Sequence, residues 1–232
     1  MWYKHYMNET KTTVSKSQVT SRRLYEISMA HFLEKGFDQT TMRDLAAAAE
    51  LSLGAFYYHF PNKEAVIQRF YQQSFDSFKY ACDSVFAETE NIEKRLLGVI
   101  EARLKTFEGS REILIVLSRS AVDPRSPLSP FGGDQKEIRE KTVSIMREMI
   151  ESSDLKCEKG LRTYLPELFW MYMMGMILFW VFDESNNQKK TRDFIQQLTP
   201  QIVRLIRYTR IPLSGTVLGP LKKTLEMLIG PR

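Results

Sequence analysis

The chain has 232 residues, 43% apolar and 26% charged, with a formal net charge of +5, so it is long enough for one large domain or two small ones. Its 11 glycines and 9 prolines disfavour a turn-rich all-β fold, and Cys82 and Cys157 form no CxxC pair that would indicate a disulfide framework. The longest uncharged apolar run, Leu168 to Phe182, has 15 residues, whereas a membrane span needs about 20. No secretory signal precedes it, so we expect a cytoplasmic protein.

The chain begins with a predicted tail and a first helix. Residues 1–15 have no hydrophobic periodicity and predict a flexible tail, with an arm that touches DNA as the alternative. Apolar residues at helical spacing then predict a helix over Ser17–Lys35. Gly36 follows as its stop, because glycine tolerates a left-handed backbone.

Two short helices follow. The first is predicted over Met42–Ala49, with Thr41 as its cap and Asp44 placed as in a near variant of a capping box. The second is predicted over Leu53–His59, with Ser52 as its cap.

The rest of the chain predicts helix after helix and no strand. The predicted helices run from Lys63 into the 80s and over Ile92–Phe107, Arg111–Val122, Gln135–Ser152, Leu161–Phe182, Arg192–Tyr208 and Leu218–Ile229. Asp123 to Asp134 holds three prolines and two glycines and predicts a long loop. The predicted fold class is all-α with about nine or ten helices: a tail (1–15), a three-helix helix-turn-helix domain (16–63) and, joined by a long helix, a C-terminal helical bundle (64–232).

The segment Thr40 to Lys63 carries the functional pattern. Two short helices joined by a three-residue turn can place the second helix in a DNA major groove while the first braces it. The spacing assigns the small core between them to Leu45, Ala49, Leu51 and Phe56. The face left outward is small and then aromatic, where a solvated helix would carry Lys and Glu: Leu53, Gly54, Ala55 and Tyr58.

This segment and the helix before it resemble the TetR-type, tetracycline-repressor-like, bacterial regulators over about 45 residues. The matching residues are Ala30, Phe32, Gly36, Phe37, Thr40, Thr41, Leu45, Ala46, Ala49, Leu51, Ser52, Gly54, Tyr57, His59, Phe60, Lys63 and Glu64. A first helix ending in Gly-Phe, then Thr-Thr, then Tyr-x-His-Phe-x-x-Lys is a specific combination. The charge is not what indicates DNA, since residues 1–63 carry eight basic and six acidic residues, a net of only +2.

The resemblance and the pattern together give a set of candidate DNA contacts. They are Thr40, Thr41, Arg43, Ser52, Leu53, Gly54, Ala55, Tyr57, Tyr58, His59 and Lys63. Lys63 is expected to meet a phosphate at a helix start, with an ordinary exposed lysine as the alternative. Arg43 is expected to contact a base edge or the DNA backbone, with a solvated arginine as the alternative. For Thr41, capping of the helix is sufficient to explain the residue without a DNA contact. For Tyr57 and His59, the alternative to a DNA contact is packing within the domain.

Two positions depart from the family pattern. Glu50 stands where the family has glycine in the turn, so a positive φ there would cost about 1 kcal/mol. Leu53, Gly54 and Ala55 supply no side-chain hydrogen bonds, so reading would rest on methyl contacts, Tyr58, Arg43 and DNA shape.

The larger half is assigned by the layout of the family. The resemblance implies a ligand cavity and a homodimer through the helices at about 161–182 and 192–208, with a monomer core as the alternative. The predicted pocket residues are Phe75, Phe78, Phe107, Trp170 and Met174. The loop from Asp123 flanks a cavity entrance or is an ordinary connection.

The expected function is a dimeric regulator that binds a two-fold symmetric operator in double-stranded DNA. A small apolar or aromatic effector would release it, as in a repressor. The alternatives are an effector-independent DNA-organising protein with the same head and a transcriptional activator. No nucleophile–base set, phosphate loop or metal spacing indicates an enzyme, a cofactor or a metal site, and no membrane partner is expected.

Overall fold

The computed structural model describes residues 16–121, 123, 125–210, 219–220 and 223–227. Within these residues it is helical and has no strand, which confirms the all-α prediction. The helices are α1 (Lys16–Lys35), α2 (Met42–Ala48), α3 (Leu53–His59), α4 (Lys63–Glu88), α5 (Ile92–Phe107), α6 (Arg111–Ala121), α7 (Lys136–Glu151), α8 (Lys159–Arg162), α9 (Leu165–Val181) and α10 (Lys189–Tyr208). Residues 219–220 and 223–227 are also helical. The predicted tail, residues 1–15, lies outside the described residues.

The chain divides into two compact units between Ile67 and Gln68, within α4. The boundary predicted from the sequence lies between residues 63 and 64. We call the first unit, residues 16–67, the head, and the second, from residue 68 onward, the bundle.

The head is built around a small aromatic and aliphatic core. Its buried members are Leu24, Phe32, Phe37, Leu45, Ala46, Ala49, Phe56, Phe60, Val66 and Ile67. The centres of the Phe32 and Phe37 rings lie 5.1 Å apart across the end of α1. Gly36 lies between them at φ 88°, which confirms its predicted role as the left-handed stop of that helix.

The bundle is held by apolar packing between helices that are far apart in the sequence. α9 packs against α7, α5, α6 and α10, and α5 also packs against α7 and α10. Its fully buried large side chains include Phe78, Phe169 and Trp180. None of the helices in the described part of the chain is long and apolar enough to cross a membrane.

The very apolar segment 161–182 is not the single helix that its composition predicts. α8 ends at Arg162 and α9 begins at Leu165, with Pro166 in its first turn. Proline lacks an N–H and clashes with the preceding turn, so it is favoured in the first turn of a helix, where no intrahelical hydrogen bond is lost. The composition of the segment hides this break because both pieces are apolar.

Candidate nucleic-acid interface and cavity

The start of α2 is fixed by a capping box. The Asp44 backbone N–H donates to the Thr41 hydroxyl (3.2 Å), and the Thr41 backbone N–H donates to Asp44 Oδ2 (2.8 Å), as predicted. Lys35 Nζ donates to the same carboxylate oxygen at 2.8 Å and, together with the bonds from Thr41, lowers the pKa of Asp44 well below its usual range. α1 and α2 are thereby joined at the surface by short-range contacts.

The turn after α2 adopts the conformation that was expected to be strained. Glu50 lies at φ 57°, which confirms that the backbone here is left-handed although the residue is not glycine. The Leu51 N–H donates to the Ala46 carbonyl (2.9 Å) and the Glu50 N–H to the Ala47 carbonyl (3.0 Å). These two bonds form a Schellman motif, which satisfies the last carbonyls of α2 and sets the direction of the chain into α3.

α3 presents a mixed small and aromatic face to solvent. Ser52 caps it by accepting from the Ala55 N–H at 3.2 Å, and Phe56 is fully buried beneath it. Tyr58 is 81% exposed and Tyr57 45% exposed. Gly54 and Ala55 are exposed as well, and Leu53 and His59 are half-buried. A face with this relief can approach a groove floor closely.

One predicted contact requires correction at Thr40. Its side chain is only 1% exposed, and its hydroxyl donates to the Gly36 carbonyl at 2.7 Å. The side chain is therefore used to close the loop between α1 and α2 and does not reach a surface. Thr41 is exposed, but its hydroxyl serves the capping box. Arg43, one turn into α2, is exposed.

Lys63 is also placed differently from the expectation of a free ammonium. Its Nζ donates to the carbonyls of Phe37 (2.8 Å), Thr40 (3.1 Å) and Asp38 (3.4 Å), and lies 4.4 Å from the centre of the Phe37 ring. Its three donors are directed at the α1–α2 loop, so we reassign this residue from a phosphate contact to a tie within the head.

The bundle contains a cavity of about 440 Å³. Three of the predicted pocket residues, Phe107, Trp170 and Met174, line it. Phe75 and Phe78 are not among its lining residues. Phe78 is fully buried and packs against the Arg103 guanidinium instead. Residues from the loop after Asp123 also line the cavity, which supports the reading of that loop as a cavity wall: Leu128, Pro130 and Phe131.

The sequence interpretation missed the polar lining of this cavity. Tyr71, Arg103, Gln135 and Arg139 all contribute to its wall. A signal was present for one of them, because Arg103 follows Val99 and Ile100 at the spacing that buries the next residue of α5. An arginine on the buried stripe of a helix is uncommon and marks a functional candidate.

Two family models match the chain. The model described as "Bacterial regulatory proteins, tetR family" matches residues 24–70, and the model "Tetracyclin repressor-like, C-terminal domain" matches residues 95–226. Together they cover the helix-turn-helix and most of the bundle.

Curated and solved relatives agree with these models. The chain is 29% identical over 140 residues to the HTH-type transcriptional repressor KstR2 of Mycobacterium tuberculosis H37Rv, covering 58% of this chain and 69% of that one. Two structures are similar at the level of fold. A TetR-family regulator from Syntrophomonas wolfei aligns with a TM-score of 0.64 at 14% identity, covering 81% of this chain and 96% of that one. Thermus thermophilus FadR, a TetR-family repressor solved with lauroyl-CoA, aligns with a TM-score of 0.56 at 18% identity, covering 77% and 92%. Since the C-terminal model alone spans more than half of the chain and the N-terminal model coincides with the helix-turn-helix, this protein belongs to the TetR family and is a DNA-binding transcriptional regulator.

Proposed function

We propose that this regulator is a repressor whose α3 helix enters the major groove of a two-fold symmetric operator and whose bundle binds a small effector that releases it. The observation that carries the DNA part is the outward face of α3, where Gly54 and Ala55 leave room beside the exposed rings of Tyr57 and Tyr58. Arg43, Ser52, Leu53 and His59 complete the proposed contact set, in which Arg43 is the charged side chain. A DNA-bound regulator acts on the chromosome, so the proposal places it in the cytoplasm.

We propose a homodimer through α9 and α10. Large apolar side chains on these two helices, and at the residue that caps the end of α9, remain exposed in the single chain: Leu178, Phe179, Phe182, Phe194, Leu205 and Tyr208. The rings of Phe179 and Phe194 meet at 5.7 Å, so the two helices share one apolar surface. Surfaces of this kind on a monomer mark association sites, and a two-fold axis would supply two heads for two half-sites.

The cavity supports effector control. Its volume of about 440 Å³ falls in the range of small-molecule sites, which is about 300–1,000 Å³. A ligand that binds better to a dimer with a different spacing of its heads lowers the affinity for the operator by shifting the population. FadR of Thermus thermophilus, a protein of this fold, was solved in complex with lauroyl-CoA, and this chain is proposed to hold a ligand in its own cavity.

The DNA proposal is tested by selecting bound fragments from genomic DNA and measuring their affinity by fluorescence anisotropy. Tyr58→Ala is expected to weaken binding to the selected site by about tenfold or more, since a good major-groove contact is worth about 1–3 kcal/mol. Tyr80→Ala removes another tyrosine, 66% exposed on α4, and serves as the matched control. Equal affinities for wild type and Tyr58→Ala would remove α3 from the interface.

The dimer and the release are tested separately. Phe182→Glu places a charge on the exposed apolar surface of α9 and is expected to give monomers in analytical ultracentrifugation, whereas Tyr80→Glu is expected to stay dimeric. Operator affinity is then measured with and without a saturating cavity ligand. An affinity that does not change on saturation would contradict the release mechanism and favour an effector-independent DNA-organising protein.

A further inference from the structure

Arg103 is a buried charge in the wall of the cavity. It lies on α5, its side chain is 5% exposed, and it lines the cavity together with Phe107. The guanidinium carbon lies 4.3 Å from the centre of the Phe107 ring and 4.8 Å from that of Phe78. The two rings cover the guanidinium, and ring faces attract cations. The five N–H donors of the guanidinium lie in its own plane, so the faces of these two rings do not accept hydrogen bonds from them.

The hydrogen bonds of Arg103 are incomplete. The structure gives it one, from Nη1 to the Ser74 carbonyl at 3.3 Å, and its buried Nε has no partner among the described residues. Arg95, which is also buried on α5, serves as a comparison because more of its N–H donors make hydrogen bonds. It donates to the carbonyls of Thr89, Phe86 and Met149 and to the Ser152 hydroxyl. Both arginines are buried, but Arg95 makes four hydrogen bonds within the bundle, whereas Arg103 makes one among the described residues.

None of the described residues that line the cavity carries a negative charge that would balance Arg103. Its charged lining residues are Arg103 and Arg139, and no Asp or Glu is among them. Arg139 is tied by Nη1 to the carbonyls of Pro130 (2.8 Å) and Gly132 (3.0 Å), which are neutral partners. Burial lowers the pKa of Arg103 to about 10, so the group is still charged near neutral pH. The wall therefore carries uncompensated positive charge in apolar surroundings.

A neutral donor lies in the same wall. Burial raises the pKa of Tyr71 to about 12, so its phenol keeps its proton near neutral pH. The remaining lining is dominated by apolar side chains, among them Leu114, Leu117, Trp170 and Ile177. A ligand that suits this wall has one anionic group and a larger apolar body.

We propose that the effector is a carboxylic acid with an apolar body, and that its carboxylate accepts hydrogen bonds from the Arg103 guanidinium. A carboxylate supplies acceptors for the unused N–H donors and the opposite charge, which the described residues that line the cavity do not. The inference rests on the proposed function, in which this cavity is the effector site, and it names the ligand class.

The test uses displacement of the neutral fluorescent probe N-phenyl-1-naphthylamine from the full chain. The competitors are matched sets with a dodecyl, a naphthyl or an adamantyl body, each as the carboxylic acid, the primary amide and the primary amine. At least one acid is expected to bind roughly tenfold or more tightly than its amide, and the amine of that body more weakly than the amide. Equal binding of acid and amide for every body, or no displacement by any acid, overturns the proposal.

Arg103→Met then decides which residue carries the preference. The variant is expected to bind the probe still and to lose the preference for the acid, whereas Arg119→Met, an exposed arginine of α6, is expected to keep it. Arg103→Lys retains a charge without the planar fork and is expected to show a reduced preference, and it replaces the methionine variant if that variant does not fold. A preference that persists in both Arg103 variants overturns the assignment.

Failure of the proposed function gives a different result. Operator affinity is measured by anisotropy in the presence of the tightest acid. Tight, Arg103-dependent binding with unchanged operator affinity contradicts the release mechanism and leaves the acid site intact. Loss of operator affinity with an acid that binds equally well to the Arg103 variants contradicts the acid site and leaves release intact.

Discussion

The head and the bundle are stabilised in different ways. In the head, much of the geometry comes from contacts within a few residues, such as the capping box of Thr41 and the turn bonds of Glu50 and Leu51. In the bundle, α9 packs on α5, α6, α7 and α10, and the cavity wall draws on residues from Tyr71 to Val181. The difference teaches that a surface which reads DNA can be built from local rules, whereas a cavity needs helices assembled over a long stretch of chain.

The two units also differ in how much free energy of unfolding they can lose before they unfold. A unit of some fifty residues buries a smaller share of its surface than a larger one, so it has less reserve against a single substitution. The bundle has many more buried apolar side chains to draw upon. The predictions below test this contrast, from the largest expected effect to the smallest.

The largest effect is expected from truncating a core ring in each unit. Phe56→Ala in the head and Phe169→Ala in the bundle each remove a fully buried ring, at a cost of about 3–5 kcal/mol. Phe56→Ala is expected to unfold the head and leave the bundle protected, whereas Phe169→Ala is expected to weaken the bundle without unfolding it. Hydrogen exchange on peptides from each unit measures both. Equal loss of protection in both units for Phe56→Ala would show that they fold as one.

Replacing Lys63 is the next largest change. Lys63→Met is expected to cost the head about 2 kcal/mol, because hydrogen bonds from a charged donor are worth about 1.5–3 kcal/mol. The salt dependence of operator binding is expected to stay the same, as in the control Lys94→Met on the exposed side of α5. A salt slope smaller by about one with unchanged stability would instead restore the phosphate contact.

A smaller loss is expected at the cap of α2. Thr41→Ala is expected to lower the stability of the head by about 1 kcal/mol in thermal unfolding, and Thr41→Ser to retain most of it. The pH dependence follows from Asp44, whose pKa is lowered on folding. Its contribution is present above the unfolded pKa of about 3.9 and is lost as the pH falls through the folded value. Equal stability of the alanine and serine variants would show that the hydroxyl does not cap α2.

The smallest expected effect is an increase in the stability of the head. Glu50→Gly is expected to raise the stability of the head by about 1 kcal/mol, because a Cβ at positive φ is strained. Glu50→Ala keeps the Cβ and removes the charge, so it is expected to give no gain. Equal gains from the two variants would assign the effect to the charge of Glu50.

Sequence reasoning predicted the head more fully than the bundle. The bounds of α3 and the caps at Thr41 and Ser52 follow from local propensity and are confirmed. The error at Lys63 arises from longer contacts. The partners of Lys63 lie 23 to 26 residues earlier in the chain, so its sequence neighbours give no sign of them.

Local patterns predicted only part of the cavity. Periodicity indicates that a residue faces inward, but it does not distinguish a packed ring such as Phe78 from a cavity wall such as Phe107. That distinction depends on the path of the loop after Asp123 and on the break before α9. The incomplete hydrogen bonds of Arg103 emerge only when the side chains around it are in place.

The small residues at the start of α3 have a consequence for the chemistry of recognition. The side chains of Gly54 and Ala55 offer no donors or acceptors, and the exposed Tyr58 beside them offers a ring and one hydroxyl. The apolar group that the major groove itself displays is the 5-methyl of thymine. In the proposed interface, α3 would contact that methyl group, so an operator synthesised with uracil in place of thymine is expected to retain every base pair and yet bind the protein more weakly.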